Sequence, residues 1–376
     1  MDRPEGGRLD GMFEKLLRCI HGLNQSPREC YYQLVEYLGP VGFVITAWDP
    51  CVFVHESGNL FSAIYVYDIT LFGATGELKE QTINVLKTEF MVNDIGELNW
   101  LLGIQITFTE DGITLSQTTF IEKIPNRSSM HDCKPVSTPI DPNHWLKDIE
   151  VDEQRTNKTA YQQIIGPLIN LVTETRSDLA YTITHLSQLN ASPLVMHLTA
   201  AKQVLQYLQG TKDKHLFHSW NNHLKMTVYT DASYCNCLDT KRSFSVYISQ
   251  LRNSTRSWRC RKQRSVATST CEAEYMTPAM TTKHNLWLKR GLQELLTKDI
   301  PITLFCDSNA AIDIAYNPKL NDQSKHIDVA YHFTSEKIDE GNISIMYIIS
   351  EENLADICTK RVTRYVNDHL CSKIVG

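Results

Sequence analysis

Acidic residues stand at the ends of predicted strands and helices in the last third of the chain. Asp231 and Asp307 each follow a predicted strand, and Asp356 lies one to two turns into a predicted final helix. Four such carboxylates, brought together, can hold two Mg²⁺ or Mn²⁺ ions about 3.5–4 Å apart. One ion would activate water and the other would stabilise the leaving oxygen of a phosphodiester. The structural alternative is a set of solvated turn and cap residues, because Asp is common at such places.

The fourth acid comes from a long predicted helix, Thr270–Leu296, in which two glutamates compete for the position. Ser269 and Glu272 match a capping box, which gives Glu272 a structural role in the first turn. The same position keeps its carboxylate near the strand ends. Glu274 points to another side of the helix, about 200° away. Spacing alone does not choose between the two.

The elements that carry these acids follow the order βββ-α-β-α-α-β-α, which predicts a mixed α/β layer architecture. The three first strands are predicted at 224–229, 243–250 and 257–267. Earlier in the chain, helical patterns run from about 160 to 209. A polar, proline-containing stretch at 133–157 precedes them and is the best candidate for a linker.

A further acid lies in the stretch IYVYDITLFG, Ile64–Gly73, where two short apolar runs flank Asp68. The pattern predicts a hairpin with the acid at its turn. From these residues alone, Asp68 is either a polar turn residue or one half of a metal site.

A basic stretch, RSWRCRKQR, falls on a predicted strand and carries one tryptophan. It could be a solvated edge strand protected by charge. It could also be a ridge that follows phosphates, with the tryptophan near a sugar or base. The residues concerned are Arg256, Trp258, Arg259, Arg261, Lys262 and Arg264.

Length and composition limit the class of protein. A chain of 376 residues suggests two or three domains, and 42% hydrophobic with 21% charged residues is an ordinary globular balance. The net charge of −6 argues against a uniformly basic nucleic-acid binder but allows a local basic face. The 11 cysteines form no CxxC pair, and no apolar signal or membrane-length run is present. We therefore expect an intracellular protein of the cytoplasm or nucleus, neither secreted nor membrane-bound, with reduced thiols and no zinc site.

Five motifs stand in order along the last third of the chain: Thr230–Ala232, Ser269–Met276, Cys306–Ala311, Lys325–Phe333 and Leu354–Lys360. Together, in order and in approximate spacing, they closely resemble the ribonuclease H domain of copia-type LTR retrotransposon polyproteins. In ribonuclease H folds the helix acid lies in the first turn, which favours Glu272. The resemblance therefore implies Asp231, Glu272, Asp307 and Asp356 as the metal-binding acids. It also implies that Asp231 bridges both ions, that Asp356 completes the water-activating site, and that the other two acids hold the second ion.

The first third resembles the reverse transcriptase of the same elements, and fungal members look closest. The matching segments are His21–Arg28, Leu101–Gln105 and Cys133–Pro139. Two further segments, Tyr161–Gly166 and Thr175–Ala180, resemble the family's connecting region. The resemblance implies a palm and thumb remnant of α+β type over 12–142, a helical connection over 143–222, and a ribonuclease H-like domain over 223–372.

One departure from the family bears on polymerase activity. Where the family has YVDD at the hairpin tip, this chain has Tyr67 before Asp68. Tyrosine is neutral near pH 7 and bulky, so it is a poor ligand for Mg²⁺. In the family the other polymerase acid and the fingers lie upstream of the residue that is Met1 here. We therefore expect a degenerate polymerase site and no DNA synthesis.

These observations predict Mg²⁺- or Mn²⁺-dependent hydrolysis of RNA in RNA–DNA hybrids, recognised by backbone shape and 2′-hydroxyl groups. The alternative is a catalytically silent relic that binds nucleic acid or nothing. An active reverse transcriptase is disfavoured. The sequence makes no prediction of the oligomeric state.

Overall fold

The computed structural model describes residues 26–73, 76–90, 92–124, 130, 133–141, 154–220, 224–237, 240–317 and 325–376, with the backbone alone for 325–331. Most of the predicted linker and most of the segment 21–28 lie outside these residues. The chain divides into two compact units, with the boundary after Gly96 and residues 294–297 grouped with the first unit. In the described part of the chain, no helix combines the length and apolarity needed to cross a membrane.

The first unit is a four-stranded antiparallel meander, ordered as in the sequence, with two helices. Its core joins both helices to the sheet through Leu34, Leu38, Phe53, Leu60 and Leu86. The elements are α1 (Ser26–Leu38), β1 (Phe43–Ile45), β2 (Val52–His55), β3 (Leu60–Tyr65), β4 (Asp68–Gly73) and α2 (Gly76–Glu89).

The predicted hairpin around Asp68 is confirmed. Strands β3 and β4 pair with Tyr65 opposite Asp68, which leaves a two-residue turn. Val66 in this turn has a φ of 56°, a conformation that a β-branched residue rarely adopts. Asp68 is exposed and stands directly after the two turn residues, as the first residue of β4.

The second unit contains two sheets and nine helices among the described residues. Its strands are β5 (Trp100–Leu101), β6 (Ile104–Phe108), β7 (Gly112–Ser116), β8 (Leu216–Ser219), β9 (Met226–Ser233), β10 (Phe244–Leu251), β11 (Ser254–Lys262), β12 (Ile302–Cys306) and β13 (Ile343–Tyr347). Its helices are α3 (Thr118–Lys123), α4 (Lys158–Glu174), α5 (Ala180–Gln188), α6 (Val195–Gly210), α7 (Thr270–Leu296), α8 (Asn309–Tyr316), α9 (Lys325–Asp339), α10 (Asp356–Thr359) and α11 (Arg364–Ile374).

The five-stranded sheet has the order β11-β10-β9-β12-β13, with the first three strands antiparallel and the last two parallel to β9. One face packs on α7 and α8 through Tyr247, Tyr275 and Leu304. The other face packs on α10 and α11 through Val246 and Ile248. This mixture of helices and sheets confirms the predicted α/β class.

The second sheet is formed by segments that are distant in sequence. Strands β6 and β7 form the predicted hairpin, and β8, which the sequence did not predict, pairs with β7. The hairpin therefore belongs to the second unit. The predicted domain boundary at 142 does not coincide with the division after Gly96.

The connecting helices share a core with the five-stranded sheet. The indole N–H of Trp258 on β11 donates to the carbonyl of Val172 on α4 at 2.7 Å. The thiol of Cys358 on α10 donates to the carbonyl of Ser177 at 3.3 Å. The segments predicted as connection and as ribonuclease H-like domain thus lie in one compact unit.

A fully buried ion pair lies at the centre of this junction. Arg176 donates from Nε and Nη2 to the two carboxylate oxygens of Asp178, at 2.9 and 2.7 Å. Tyr207 on α6 donates to the same carboxylate, and Arg176 also donates to the carbonyl of Thr211. Each charge is therefore paired and hydrogen-bonded, as a buried ion pair requires.

We expect Asp178→Asn to cost about 3–5 kcal/mol in the free energy of unfolding, since it leaves the Arg176 guanidinium buried without a counter-charge. Urea denaturation measures the loss. The double variant Arg176→Met, Asp178→Leu should recover most of it. As a control, Lys212→Met breaks the exposed pair with Glu122 and should cost much less, because solvent-exposed ion pairs contribute little to stability. Equal losses for Asp178→Asn and Lys212→Met would contradict the assignment.

Candidate metal centre

Two of the predicted acids come from the middle of the five-stranded sheet. Strands β9 and β12 are parallel neighbours, and Thr230 is paired with Cys306. Asp231 and Asp307 each follow one of these paired residues, so the strand register brings both to the same end of the sheet. Asp231 lies within β9, which extends to Ser233, whereas the sequence predicted that the strand ends before it.

Asp356 reaches the same place from a short helix. The single final helix predicted from the sequence is in fact two helices, α10 and α11, and Asp356 is the first residue of α10. Asp231, Asp307 and Asp356 each offer a carboxylate oxygen, and these atoms lie within 4.8 Å of one another. The hydroxyl of Ser350 donates to Oδ2 of Asp307 at 2.5 Å.

The carboxylate of Asp231 is buried and held by three donors. Its Oδ1 accepts from the backbone N–H of Ala232 at 2.9 Å. Its Oδ2 accepts from the hydroxyl of Thr359 at 2.5 Å and faces the ammonium of Lys360 at 3.3 Å. These contacts fix the orientation of the central acid before any ligand binds.

The helix acid that faces the other carboxylates is Glu274. Ligand atoms of Glu274, Cys306 and Asp307 lie within 4.8 Å of one another. Asp307 thus belongs both to this group and to the group with Asp231 and Asp356. Glu272 is in neither group.

Glu272 acts as a helix cap. Its Oε2 accepts from the backbone N–H of Thr268 at 2.7 Å and from the hydroxyl of the same residue at 2.5 Å. Its own N–H donates to the hydroxyl of Ser269 at 3.1 Å, which is the serine half of the predicted capping box. The glutamate half differs, because Glu272 accepts from the N–H of Thr268 rather than from that of Ser269. The geometry therefore corrects the expectation for the fourth acid, and Glu274 replaces Glu272 in the candidate set.

Burial and neighbouring negative charge disfavour ionisation of two of these acids. The pKa of Glu274 rises to about 9. Burial is the largest cause of this rise, and the negative charges of Asp231 and Asp307 add to it. Burial also raises the pKa of Asp356 to about 8, with Asp231 adding to the effect and Lys360 opposing it. Without a divalent cation, the folded cluster therefore retains protons near neutral pH.

The donor set fits a hard divalent cation. Carboxylate oxygens are the ligands that Mg²⁺ and Mn²⁺ prefer. The buried Oε2 of Glu274 has no hydrogen-bond partner among the described residues, and a cation would satisfy it. The thiol of Cys306 is a poorer donor, because burial raises its pKa to about 12 and keeps it protonated.

The predicted basic ridge is divided between the two faces of β11, an edge strand. Trp258 packs against the connecting helices and donates to Val172, so its predicted place near a sugar or base does not agree with the structure. The ammonium of Lys262 contacts the thiol of Cys237 at 3.0 Å. Four of the six ridge residues are exposed: Arg256, Arg259, Arg261 and Arg264. Arg256 is nevertheless partly enclosed, and burial lowers its pKa to about 10.

Residues that the sequence reasoning did not assign complete the site. Thr359 and Lys360 contact Asp231, and Ser350 contacts Asp307. Thr359 and Lys360 stand at the end of the motif Leu354–Lys360, so the motif carried a signal for them. Nothing in the local sequence indicates the contact of Ser350, which links residues 43 positions apart.

The raised pKa values predict that metal-free protein loses stability as the pH rises. The folded state keeps protons on Glu274 and Asp356 that the unfolded chain loses near its ordinary values of 4.5 and 3.8. Unfolding therefore becomes easier between about pH 4.5 and pH 9.

Glu274→Gln should flatten this dependence, since the amide does not ionise, while Glu272→Gln should retain it. Urea midpoints at pH 5, 7 and 9 with a chelator measure the effect. Identical pH dependence in the two variants would contradict the assignment of Glu274.

Comparisons with known proteins agree with the motifs. A family described as reverse transcriptase (RNA-dependent DNA polymerase) matches residues 1–142. The Pol polyprotein from transposon RE1 of Arabidopsis thaliana is 34% identical over 96% of this chain, which covers 25% of that protein. The one from transposon TNT 1-94 of Nicotiana tabacum is 32% identical over 100% of this chain and 29% of that protein. An uncharacterized mitochondrial protein of Arabidopsis thaliana is 31% identical over 61% of this chain and 94% of its own length.

The solved structures that match this chain have low sequence identity and low TM-scores. The N-terminal RNase H domain of a Mycobacterium tuberculosis protein, fused to maltose-binding protein, covers 40% of this chain and 97% of that chain, at 11% identity and a TM-score of 0.28. The protease–reverse transcriptase of prototype foamy virus covers 88% of this chain and 38% of that chain, at 10% identity and a TM-score of 0.24. Both scores are too low to support a statement about fold or function.

The sequence relatives are decisive for the family. The chain spans 25–29% of the length of the two Pol polyproteins, and nearly all of it is matched by them. It also carries the reverse transcriptase match over its first 142 residues. The chain therefore belongs to the family of copia-type retrotransposon Pol polyproteins.

Proposed function

We propose that residues 223–372 are a ribonuclease H-type nuclease domain, which hydrolyses the RNA strand of RNA–DNA hybrids with Mg²⁺ or Mn²⁺. The observation that carries this proposal is the convergence of Asp231, Glu274, Asp307 and Asp356 from four separate elements on one end of the sheet. The five sequence motifs that resemble ribonuclease H domains of this family support it independently.

Two overlapping sets of oxygen donors would hold the metal. Asp231, Asp307 and Asp356 form one set, and Glu274 and Asp307 supply the oxygens of the other. When bound, the ions supply Lewis-acid stabilisation of the phosphodiester and an activated water. The resemblance gives Asp231 the bridging position, whereas Asp307 is the residue common to both groups, so the individual roles stay predictions.

The chain's own residues contribute orientation. Thr359 and the backbone of Ala232 fix the carboxylate of Asp231, and Ser350 does the same for Asp307. Such hydrogen bonds hold acids in place so that they need not reorganise when a ligand arrives. We propose that the exposed arginines of β11 and its end contact the phosphates of a hybrid, which would be recognised by shape and 2′-hydroxyl groups.

We expect the purified whole chain to cleave labelled RNA in an RNA–DNA hybrid when Mg²⁺ is added. Asp231→Asn and Glu274→Gln should lower the rate about 100-fold or more, since metal catalysis supplies several kcal/mol and each 1.36 kcal/mol is tenfold. Glu272→Gln is the matched control on the same helix, and it should retain cleavage with a modest loss of stability.

Two results would contradict this account in different ways. Loss of cleavage in Glu272→Gln but not in Glu274→Gln would show that Glu272, and not Glu274, is the metal-binding acid of α7. Absence of cleavage in the unmodified chain, with hybrid binding intact, would favour the alternative of a catalytically silent nucleic-acid-binding relic. Single-stranded RNA and duplex DNA serve as substrate controls.

We also propose that the first unit does not polymerise DNA. The turn of the β3–β4 hairpin presents Asp68 alone, next to Tyr67, where the family has a second carboxylate. The unmodified chain should give no primer extension with Mg²⁺ or Mn²⁺, and Tyr67→Asp should not restore it. Extension of a primer by the unmodified chain, measured on a denaturing gel, would refute this proposal.

A further inference from the structure

Lys360 lies against the buried acids. Its ammonium is 2.9 Å from Oδ1 of Asp356 and 3.3 Å from Oδ2 of Asp231. The two carboxylates have exposed fractions of 13% and 2%, whereas the Lys360 side chain is 45% exposed. The lysine therefore reaches the acids from the solvent side and places a positive charge over an otherwise anionic pair.

The hydrogen bonds at Asp231 leave little room for a second cation on the same atom. A carboxylate oxygen offers two lone pairs. Oδ2 of Asp231 already accepts from the hydroxyl of Thr359 and faces the ammonium of Lys360. A divalent ion that binds this oxygen must displace one of them, and the ammonium is the partner with a path to solvent.

Lys360 also lowers the repulsion within the cluster. Packed carboxylates destabilise one another unless a cation or protons intervene. Lys360 follows Asp356 by one helical turn, so α10 delivers both the acid and its counter-charge.

We propose that Lys360 is a built-in cation that holds Asp231 and Asp356 together in the metal-free protein and competes with the divalent ion for them. Metal binding then requires the ammonium to withdraw from both carboxylates. Lys360 is in this sense a positioning residue, which stabilises the empty site and weakens the apparent affinity for metal. The inference rests on the metal site of the proposed function, and binding can be measured without activity.

The test compares the whole chain with Lys360→Gln, which removes the charge, and Lys360→Arg, which keeps it. Lys337→Gln is the control, because it removes the same charge from an ion pair with Glu336 and Glu340 on another helix. Calorimetric titration with Mg²⁺ gives the affinity, and melting temperatures with chelator and with saturating Mg²⁺ give the stability of the two states.

We expect Lys360→Gln to bind Mg²⁺ about threefold to fivefold more tightly, the gain when a partly exposed ion pair no longer has to be broken. With chelator, Lys360→Gln should have a lower melting temperature than the unmodified chain. With saturating Mg²⁺, the two melting temperatures should become equal. Lys360→Arg and Lys337→Gln should bind Mg²⁺ as the unmodified chain does.

Equal Mg²⁺ affinity in Lys360→Gln and the unmodified chain would overturn the inference. So would the absence of any Mg²⁺ response in both, which would overturn the metal site as well. If Lys360→Gln binds Mg²⁺ more tightly than the unmodified chain but no form of the protein cleaves a hybrid, the role of Lys360 would be upheld and the proposed function rejected.

Discussion

Like charges within a few ångströms of one another repel. The candidate metal centre of the second unit brings four acids this close, so its structure must offset their mutual repulsion. Asp231, Glu274, Asp307 and Asp356 come from β9, α7, the end of β12 and α10, so no single element determines their spacing. In the metal-free state the structure offsets the repulsion with protons, with the ammonium of Lys360 and with hydroxyl donors. Divalent cations would do so more completely, because each carries two charges directly to the oxygens.

The acids keep their positions because the connecting helices belong to the same packed unit. The α10 helix, which carries Asp356 and Thr359, is hydrogen-bonded through Cys358 to Ser177 in the connecting segment. That segment is fixed in turn by the buried pair of Arg176 and Asp178 and by Tyr207. Loss of one partner of a buried ion pair is strongly destabilising, so we expect substitutions at this pair to weaken the support of α10 as well.

Much of the fold could be predicted because its longer elements have strong periodicity. The helix Thr270–Leu296 has the predicted bounds, and the elements of the last third follow the predicted order as far as the last strand. Strand β8 has four residues, too short a window for a pattern, and it pairs with a hairpin about 100 positions earlier. The single final helix predicted from the sequence is interrupted after Thr359, because Lys360 has an extended backbone and α11 begins only at Arg364.

Local sequence could predict only part of the candidate metal site, because the rest depends on tertiary packing. Strand ends and motifs indicated Asp231, Asp307 and Asp356, but the choice between Glu272 and Glu274 depends on how α7 is rotated on the sheet.

Crystals soaked in Mn²⁺ and measured at its anomalous edge test the central claim most directly. The account predicts anomalous peaks bound by Asp231, Asp307, Asp356 and Glu274, with Lys360 moved away and Glu272 still on Thr268. Peaks elsewhere, or ligation by Glu272, would contradict it.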